Sequence, residues 1–192
     1  MRPVLRVEIL PIGEYEAVRP EFRGRIIEMK RARRVALGPD MSAVFENRDT
    51  VQLQIQEMLR TERITAESAV LHEVNTYNEL VPGDDEVSLT LFVEIAEKER
   101  RDTMLVELAG LEDAIYVEID GARFPARGKR EGASPGRTTA VHYLKAKLSK
   151  AAVAALRAGT AKAALVADHP RYRARGELGP DALKQLAADF AA

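Results

Sequence analysis

Residues 45–62 read FENRDTVQLQIQEMLRTE, a stretch that combines a helix start with an apolar stripe and with charges that interrupt it. Asn47 or Asp49 is a suitable N-cap and no proline or glycine interrupts the stretch, which predicts a helix from about residue 49. At about 100° per residue, Arg48 and Glu62 fall on the apolar side of this helix. Because an unpaired buried charge is costly, each is either a paired ion at the edge of the core or part of a site.

A second helix follows after a short turn and is predicted to pack antiparallel to the first. Its inward stripe is flanked by Glu73 and Asn78. In this arrangement Glu46, Arg48 and Asn78 form a polar cluster at the open end of the pair. Glu62 and Glu73 are about 9 Å apart along the axis, given a rise of about 1.5 Å per residue, which is too far to share a metal ion. The Glu-x-x-His spacing of di-iron bundles is also absent, and no metal site is predicted.

Composition limits the class of protein. The 192 residues carry 29 basic and 30 acidic side chains, a formal net charge of -1, so no overall field draws the chain to nucleic acid or anionic lipid. There is no cysteine, which excludes disulfides and iron–sulfur clusters held by the chain's own thiolates, and no cofactor is predicted. The start of the chain lacks an apolar signal core, and no run of about 18 apolar residues occurs. We therefore expect a cytoplasmic protein without a membrane segment.

The rest of the chain predicts an α+β fold, with N-terminal helices and a short β-hairpin packed on a mainly antiparallel sheet from the C-terminal half. Helical spacing marks residues 14–34. Residues 87–95 alternate between apolar and polar positions, which is typical of a strand with one buried face. The Asp120-Gly121 pair predicts a two-residue hairpin turn.

The organisation expected from these elements is a single domain spanning residues 1–192. It is helix-rich over residues 1–82 and sheet-rich over residues 83–192. The three glycines and one proline of residues 128–137 predict a surface loop within the second part.

Three further candidate residues lie outside the helix pair. Arg101 flanks the apolar stripe of a later helix, and His169 and Tyr172 follow a small-residue strand, whose end is a usual place for functional side chains. Asp168 beside His169 suits acid–base chemistry, but adjacent strand residues point to opposite faces, so the pair is not a ready-made dyad. His142 falls in the apolar register of its strand and is interpreted as a satisfied core residue.

The first helix ends in a basic segment. Cations near a helix C-terminus are favoured by the macrodipole, which makes a solvated helix end the first interpretation and an RNA contact the alternative. RNA binding has less support, because no aromatic residues for base stacking are interleaved with the cations. The basic residues are Arg23, Arg25, Lys30, Arg31, Arg33 and Arg34.

Motifs spread over nearly the whole chain resemble a bacterial domain-of-unknown-function family of about this length. The matching stretches are Tyr15-Glu16 with Arg19-Pro20, residues 33–39, residues 45–48 with Thr50, residues 54–60 with Glu62, residues 77–82, residues 110–112, and His169-Pro170 with Tyr172. The resemblance implies no assigned activity and no catalytic residues. It implies a gene that lies beside the genes of rubrerythrin-like proteins and of cluster-binding oxidoreductases similar to heterodisulfide reductase subunits, and hence a redox or peroxide-stress setting.

These observations favour an accessory or binding protein without its own redox centre, acting with iron–sulfur or rubrerythrin-type partners. The alternative is an enzyme for a small anionic substrate, in which Arg48 or Arg101 clamps the anion. The acid–base groups of that enzyme would come from Glu46, Glu62, Glu73 and His169. RNA binding through the basic helix end is the third possibility.

Arg48 is expected to be more functional than Glu62. It lies at a helix N-terminus, where a cation is disfavoured and must be offset by a carboxylate such as Glu46 or by a bound anion. If Glu62 is a buried partner, Glu62→Ala costs about 3–5 kcal/mol. If it is exposed, the change stays within about 0.5 kcal/mol.

Overall fold

Helices and strands lie close to where periodicity and capping residues predict them. The computed structural model describes residues 1–128 and 136–191, so most of the loop predicted at residues 128–137 lies outside the described residues. No helix within these two ranges has both the length and the apolar content needed to cross a membrane. The helices are α1 (Ile12–Ala32), α2 (Arg48–Thr61), α3 (Glu67–Asn78), α4 (Lys98–Glu107), α5 (Lys150–Arg157) and α6 (Pro180–Ala191). The strands are β1 (Arg34–Ala36), β2 (Met41–Glu46), β3 (Glu86–Val93), β4 (Ile115–Ile119), β5 (Ala122–Arg127), β6 (Val141–Lys147), β7 (Ala163–His169) and β8 (Tyr172–Glu177).

Helix α2 begins with a reciprocal cap and ends at Thr61, one residue before Glu62. The Thr50 amide donates to the Asn47 side chain at 3.0 Å, and the Asn47 amide donates to Thr50 Oγ1 at 2.9 Å. At the other end Arg63 adopts a φ of 54°, in the left-handed region, which turns the chain away from the helix. Glu62 therefore lies after the last helical residue and is exposed, and not on the apolar side as expected.

The eight strands in the described ranges form one antiparallel sheet in the order β1-β2-β3-β6-β5-β4-β7-β8. The predicted α+β class is confirmed. The structure adds that the N-terminal hairpin β1–β2 belongs to the sheet itself, because β2 pairs with β3 along its whole length.

The first and last strands of the sheet approach each other, so the sheet is nearly closed. Tyr172, at the start of β8, donates its hydroxyl hydrogen to the Leu37 carbonyl at 2.6 Å. The same hydroxyl oxygen accepts from the Asp40 amide at 3.2 Å. The Tyr172 side chain thereby ties β8 to the turn between β1 and β2.

The inner face of the sheet encloses the larger apolar cluster, which we call the interior core. Val87, Leu89, Leu91 and Val93 alternate inward along β3 and are all buried there. Helices α4, α5 and α6 contribute apolar side chains to the same cluster. Burial of these side chains is the dominant favourable contribution to folding.

A second apolar cluster, the helix-pair core, lies between α2, α3 and the N-terminal arm. Val51 and Ile55 of α2 meet Val70 and Val74 of α3, as the antiparallel pairing predicts. The arm adds Val4 to this cluster. Helices α2 and α3 are thus held by packing as well as by their caps.

Candidate functional site

A groove with a volume of about 560 Å³ lies between α3 and β6. Along β6, Leu144 and Ala146 point into the interior core, which leaves Tyr143 and Lys145 on the opposite, outer face. On α3, Glu73 and Tyr77 are four residues apart and share one side of the helix. The end of β5 contributes Arg127 and Gly128 to the rim. Further lining residues are Thr76, Glu79, Leu80, Glu112, Thr139, Val141 and His142.

Tyr77 and Tyr143 form the aromatic part of the groove. Gln54 of α2 donates its side-chain amide to the Tyr143 hydroxyl at 3.4 Å. Burial raises the pKa of the Tyr77 hydroxyl above its usual range, and the nearby Tyr143 and Glu73 raise it further. Tyr77 therefore stays protonated and neutral at physiological pH.

Two lining residues, Glu112 and His142, belong to a buried polar chain. Thr138 Oγ1 lies 3.3 Å from Glu112 Oε2 and 3.2 Å from His142 Nε2. Burial lowers the pKa of His142, although the charge of Glu112 acts in the opposite direction. The interpretation of His142 as a satisfied core residue is confirmed, because it is buried and hydrogen-bonded.

The two cationic side chains that line the groove are engaged with groups of the protein. Lys145 Nζ donates to the Val81 carbonyl at 2.8 Å and lies 3.2 Å from the Glu86 carboxylate. Arg127 donates to the Ala126 carbonyl at 3.1 Å, and its guanidinium carbon lies 5.7 Å from the centre of the Tyr116 ring. These contacts hold both positive charges against the protein.

Among the eight residues proposed from the sequence, only Glu73 lines this groove. The cluster expected from Glu46, Arg48 and Asn78 does not form. Arg48 pairs with Glu8 and the Asn78 side chain brackets the backbone of Val4 with two hydrogen bonds of 2.8 Å.

The N-terminal arm explains this difference. It crosses the open end of the helix pair and supplies the partners that the sequence interpretation assigned to α2 and α3 themselves. Glu46, on the outer face of β2, instead accepts from Thr90 Oγ1 at 2.7 Å and lies 3.6 Å from Lys30 Nζ. Arg48 is thus offset by a carboxylate, as expected, but this carboxylate is Glu8 and not Glu46.

Arg101 lies on α4, whereas His169 and Tyr172 are cross-strand partners at the turn between β7 and β8, and all three contact backbone groups. Arg101 donates to the Ile95 carbonyl at 3.1 Å. His169 is buried, with Nε2 3.2 Å from the Ala109 carbonyl oxygen and Nδ1 3.2 Å from the Arg171 amide nitrogen. Because the carbonyl must accept and the amide must donate, neutral His169 carries its proton on Nε2. Tyr172 closes the sheet, as described above.

The basic end of α1 is internally neutralised. Each of the six cations named from the sequence pairs with a carboxylate of the same chain. Because these carboxylates offset the positive charge, the pairing weakens the case for an RNA contact. The pairs are Arg23 with Glu57, Arg25 with Asp49, Lys30 with Glu46, Arg31 with Glu28, Arg33 with Asp189, and Arg34 with Glu94.

Among residues 1–128 and 136–191, no three His, Asp or Glu side chains lie close enough together to hold a metal ion.

Tyr143, Lys145 and Arg127 were not identified from the sequence as parts of a site. Strand alternation does place Tyr143 on the side opposite to His142 and Leu144, which is a signal for an exposed aromatic residue. Nothing in the local pattern shows that α3 lies beside that face. The groove is therefore a product of how the helix pair sits on the sheet.

Arg48→Ala and Glu62→Ala are expected to have different effects on stability. Arg48 is mostly buried, with its side chain 18% exposed, so its loss leaves Glu8 without its main cationic partner and should cost about 1–3 kcal/mol. Exposed Glu62 should change the free energy of unfolding by about 0.5 kcal/mol or less. Urea unfolding of both variants measures the two values. Equal losses would contradict the assignment of Arg48 to the arm contact.

Comparison with known proteins identifies the family of this chain, but the matching family and structure are both described as of unknown function. No curated protein matches the chain. The crystal structure of a novel protein of unknown function from Burkholderia pseudomallei K96243 is 31% identical, covers 98% of this chain and 100% of its own, and superposes with a TM-score of 0.91. Residues 3–190 match the model of a family described as a protein of unknown function, DUF3501. The chain belongs to the DUF3501 family.

Proposed function

We propose that this chain is an accessory binding protein and that the groove between α3 and β6 is its ligand site. The observation that carries this proposal is a space of about 560 Å³ lined by two tyrosines, three aliphatic side chains and a larger number of polar and charged side chains. Its volume is within the range of about 300–1,000 Å³ that is typical of small-molecule sites in proteins.

The exposure of apolar groups at the groove supports the proposal. Tyr143 and Val141 are 42% and 40% exposed, and both lie on the outer face of β6, away from the interior core. The fold does not need large apolar side chains at these positions for its core. A ligand that covered them would remove apolar area from water, which favours binding.

A titration followed by two-dimensional ¹H–¹⁵N NMR tests the groove. A library of small aromatic and aliphatic compounds that includes cations, anions and neutral molecules should shift the amide signals of Thr76 and Tyr143. Tyr143→Ala should weaken binding of the best compound about tenfold, corresponding to about 1.4 kcal/mol. Val106→Ala is the matched control, because Val106 is an exposed apolar residue of α4 outside the groove. A library that shifts no groove signal would overturn the proposal.

The partner is proposed to be an iron–sulfur oxidoreductase or a rubrerythrin-like protein in the cytoplasm. The support is the family resemblance noted from the motifs, together with the absence of cysteine, since a chain without thiolates needs a partner's ligands for an iron–sulfur centre. Affinity purification of the tagged chain from its native host without oxygen should recover such a protein. Recovery of no redox protein beyond the untagged control would reject this partner and leave the groove proposal standing.

The enzyme hypothesis has less support from the geometry. Its anion clamps, Arg48 and Arg101, lie outside the groove and contact Glu8 and the Ile95 carbonyl. Of its acid–base candidates, Glu73 alone lines the groove. A candidate anion-binding enzyme needs its cation and its acid–base group around one space, and these residues are not arranged in that way.

A further inference from the structure

We propose that the groove binds an organic ammonium ion, held by the Glu73 carboxylate and the rings of Tyr77 and Tyr143. This inference rests on the proposed function, because it specifies the chemistry of the ligand in the same groove. The ammonium group can come from a free amine or from a lysine side chain of a partner protein. Both sources present the same charged group to the site.

The groove offers a ligand one carboxylate that has no partner among the described residues. Glu73 is half-buried and forms no ion pair or hydrogen bond with any other residue that the structure describes. Lys145 and Arg127 contribute positive charge to the lining, but Glu86 lies against the first and both donate to backbone carbonyls. The Glu73 carboxylate is therefore available to pair with a cationic ligand.

A carboxylate in this position distinguishes between ligands by their charge. A neutral ligand would cover Glu73 and remove part of its water without offering a charged partner, which is unfavourable. An ammonium ion both donates hydrogen bonds to the carboxylate and neutralises it. The groove therefore favours cations over neutral molecules of the same shape.

The two tyrosines add a second attraction for the same charge. Aromatic rings attract cations through their negative faces, and the attraction grows when the cation is desolvated. Tyr77 and Tyr143 line the groove on opposite walls, one from α3 and the other from β6. The Tyr77 hydroxyl stays protonated because its pKa is raised, and its ring and hydroxyl thus remain neutral around a bound cation.

Three probes of similar shape and different charge test the inference by calorimetry and ¹H–¹⁵N NMR. They are 2-phenylethylammonium, 2-phenylethanol and 3-phenylpropionate. We expect the ammonium probe to shift the signals of Thr76 and Tyr143 and to bind about tenfold or more tightly than the other two. A peptide of acetyl-Gly-Lys-Gly-amide distinguishes the source: tighter binding than that of the free amine indicates a lysine side chain of a partner, and weaker binding indicates a free amine.

Two glutamate variants identify the carboxylate. Glu73→Gln should lower the affinity for the ammonium probe about tenfold, because it removes the charge and keeps the shape. The affinity for 2-phenylethanol should not fall, and should rise if covering the Glu73 charge opposes its binding. Glu62→Gln removes the same charge from an exposed residue outside the groove and should leave both affinities unchanged. Thermal melts of both variants establish that they are folded.

The possible failures can be told apart. Equal or tighter groove binding of the anionic or neutral probe, or an affinity for the ammonium probe that Glu73→Gln leaves unchanged, overturns the cation assignment but not the proposed function. If probes of all three charges leave the groove signals unshifted, the proposed binding function falls and the cation assignment falls with it.

Discussion

Replacing Asp189 by alanine is expected to destabilise the protein by about 3–5 kcal/mol, because it leaves a buried guanidinium without its charged partner. Arg33, at the C-terminal end of α1, is only 1% exposed and pairs with Asp189 of α6. Its Nε donates to the Phe45 carbonyl at 2.8 Å, which fixes the side chain under β2. Asp189 also accepts from the Asn47 amide group at 3.2 Å, so the variant loosens the cap of α2 as well.

Urea unfolding measures this loss as a shift of the midpoint at constant slope. The surface control is Asp102→Ala, which breaks an ion pair with Arg137 in which both side chains are 44% exposed, and which should cost about 1 kcal/mol or less. A double variant, Arg33→Met with Asp189→Leu, should recover most of the lost stability because it removes the buried charge itself. A loss below about 1 kcal/mol for Asp189→Ala would contradict the role assigned to the pair.

Gly176→Ala is expected to cost about 1–3 kcal/mol or more from overpacking. Gly176 lies in β8 where the last strand approaches the first. A Cβ atom at this position would lie 2.1 Å from the Ala36 carbonyl oxygen and 3.0 Å from Val35 Cγ1. Because the nearer atom belongs to the backbone, β1 or β8 would have to move.

Gly24→Ala is the matched control for this prediction. Gly24 is an exposed position inside α1, and a Cβ atom there meets nothing within 4 Å. The change should therefore stabilise the protein by about 0.5–1 kcal/mol, since alanine loses less conformational entropy in a helix. Urea midpoints that move in the same direction for the two variants would contradict the close approach of β1 and β8.

Much of the secondary structure could be predicted because the signals are local. The Asp120-Gly121 turn is present as expected, with φ values of 49° and 83°, both in the left-handed region that a tight hairpin turn requires. The alternation along β3 correctly identified its buried face. Asn47 was correctly one of two suggested caps for α2. In each case the residues that decide the conformation lie within a few positions of one another.

The candidate site could be predicted only in part, because a charged residue does not reveal its partner. The sequence showed that Arg48 needs a carboxylate, and the structure supplies Glu8 from the arm. It also showed Glu73 beside the stripe of α3 but gave no sign that Tyr143 lies across from it. Glu62 was expected on the buried side of α2, but it is the C-cap residue, after which the chain turns at Arg63, and its side chain is exposed.

The sequence by itself determined the α+β class, the family and the positions of most helices and strands, since periodicity, caps and turn residues act over short distances. Only the tertiary structure decided the strand order, the near closure of the sheet and the groove. These depend on contacts between residues far apart in the chain, such as Asn78 with Val4 across 74 positions and Tyr172 with Leu37 across 135. Such contacts form when whole elements pack together, and no local pattern of residues encodes them.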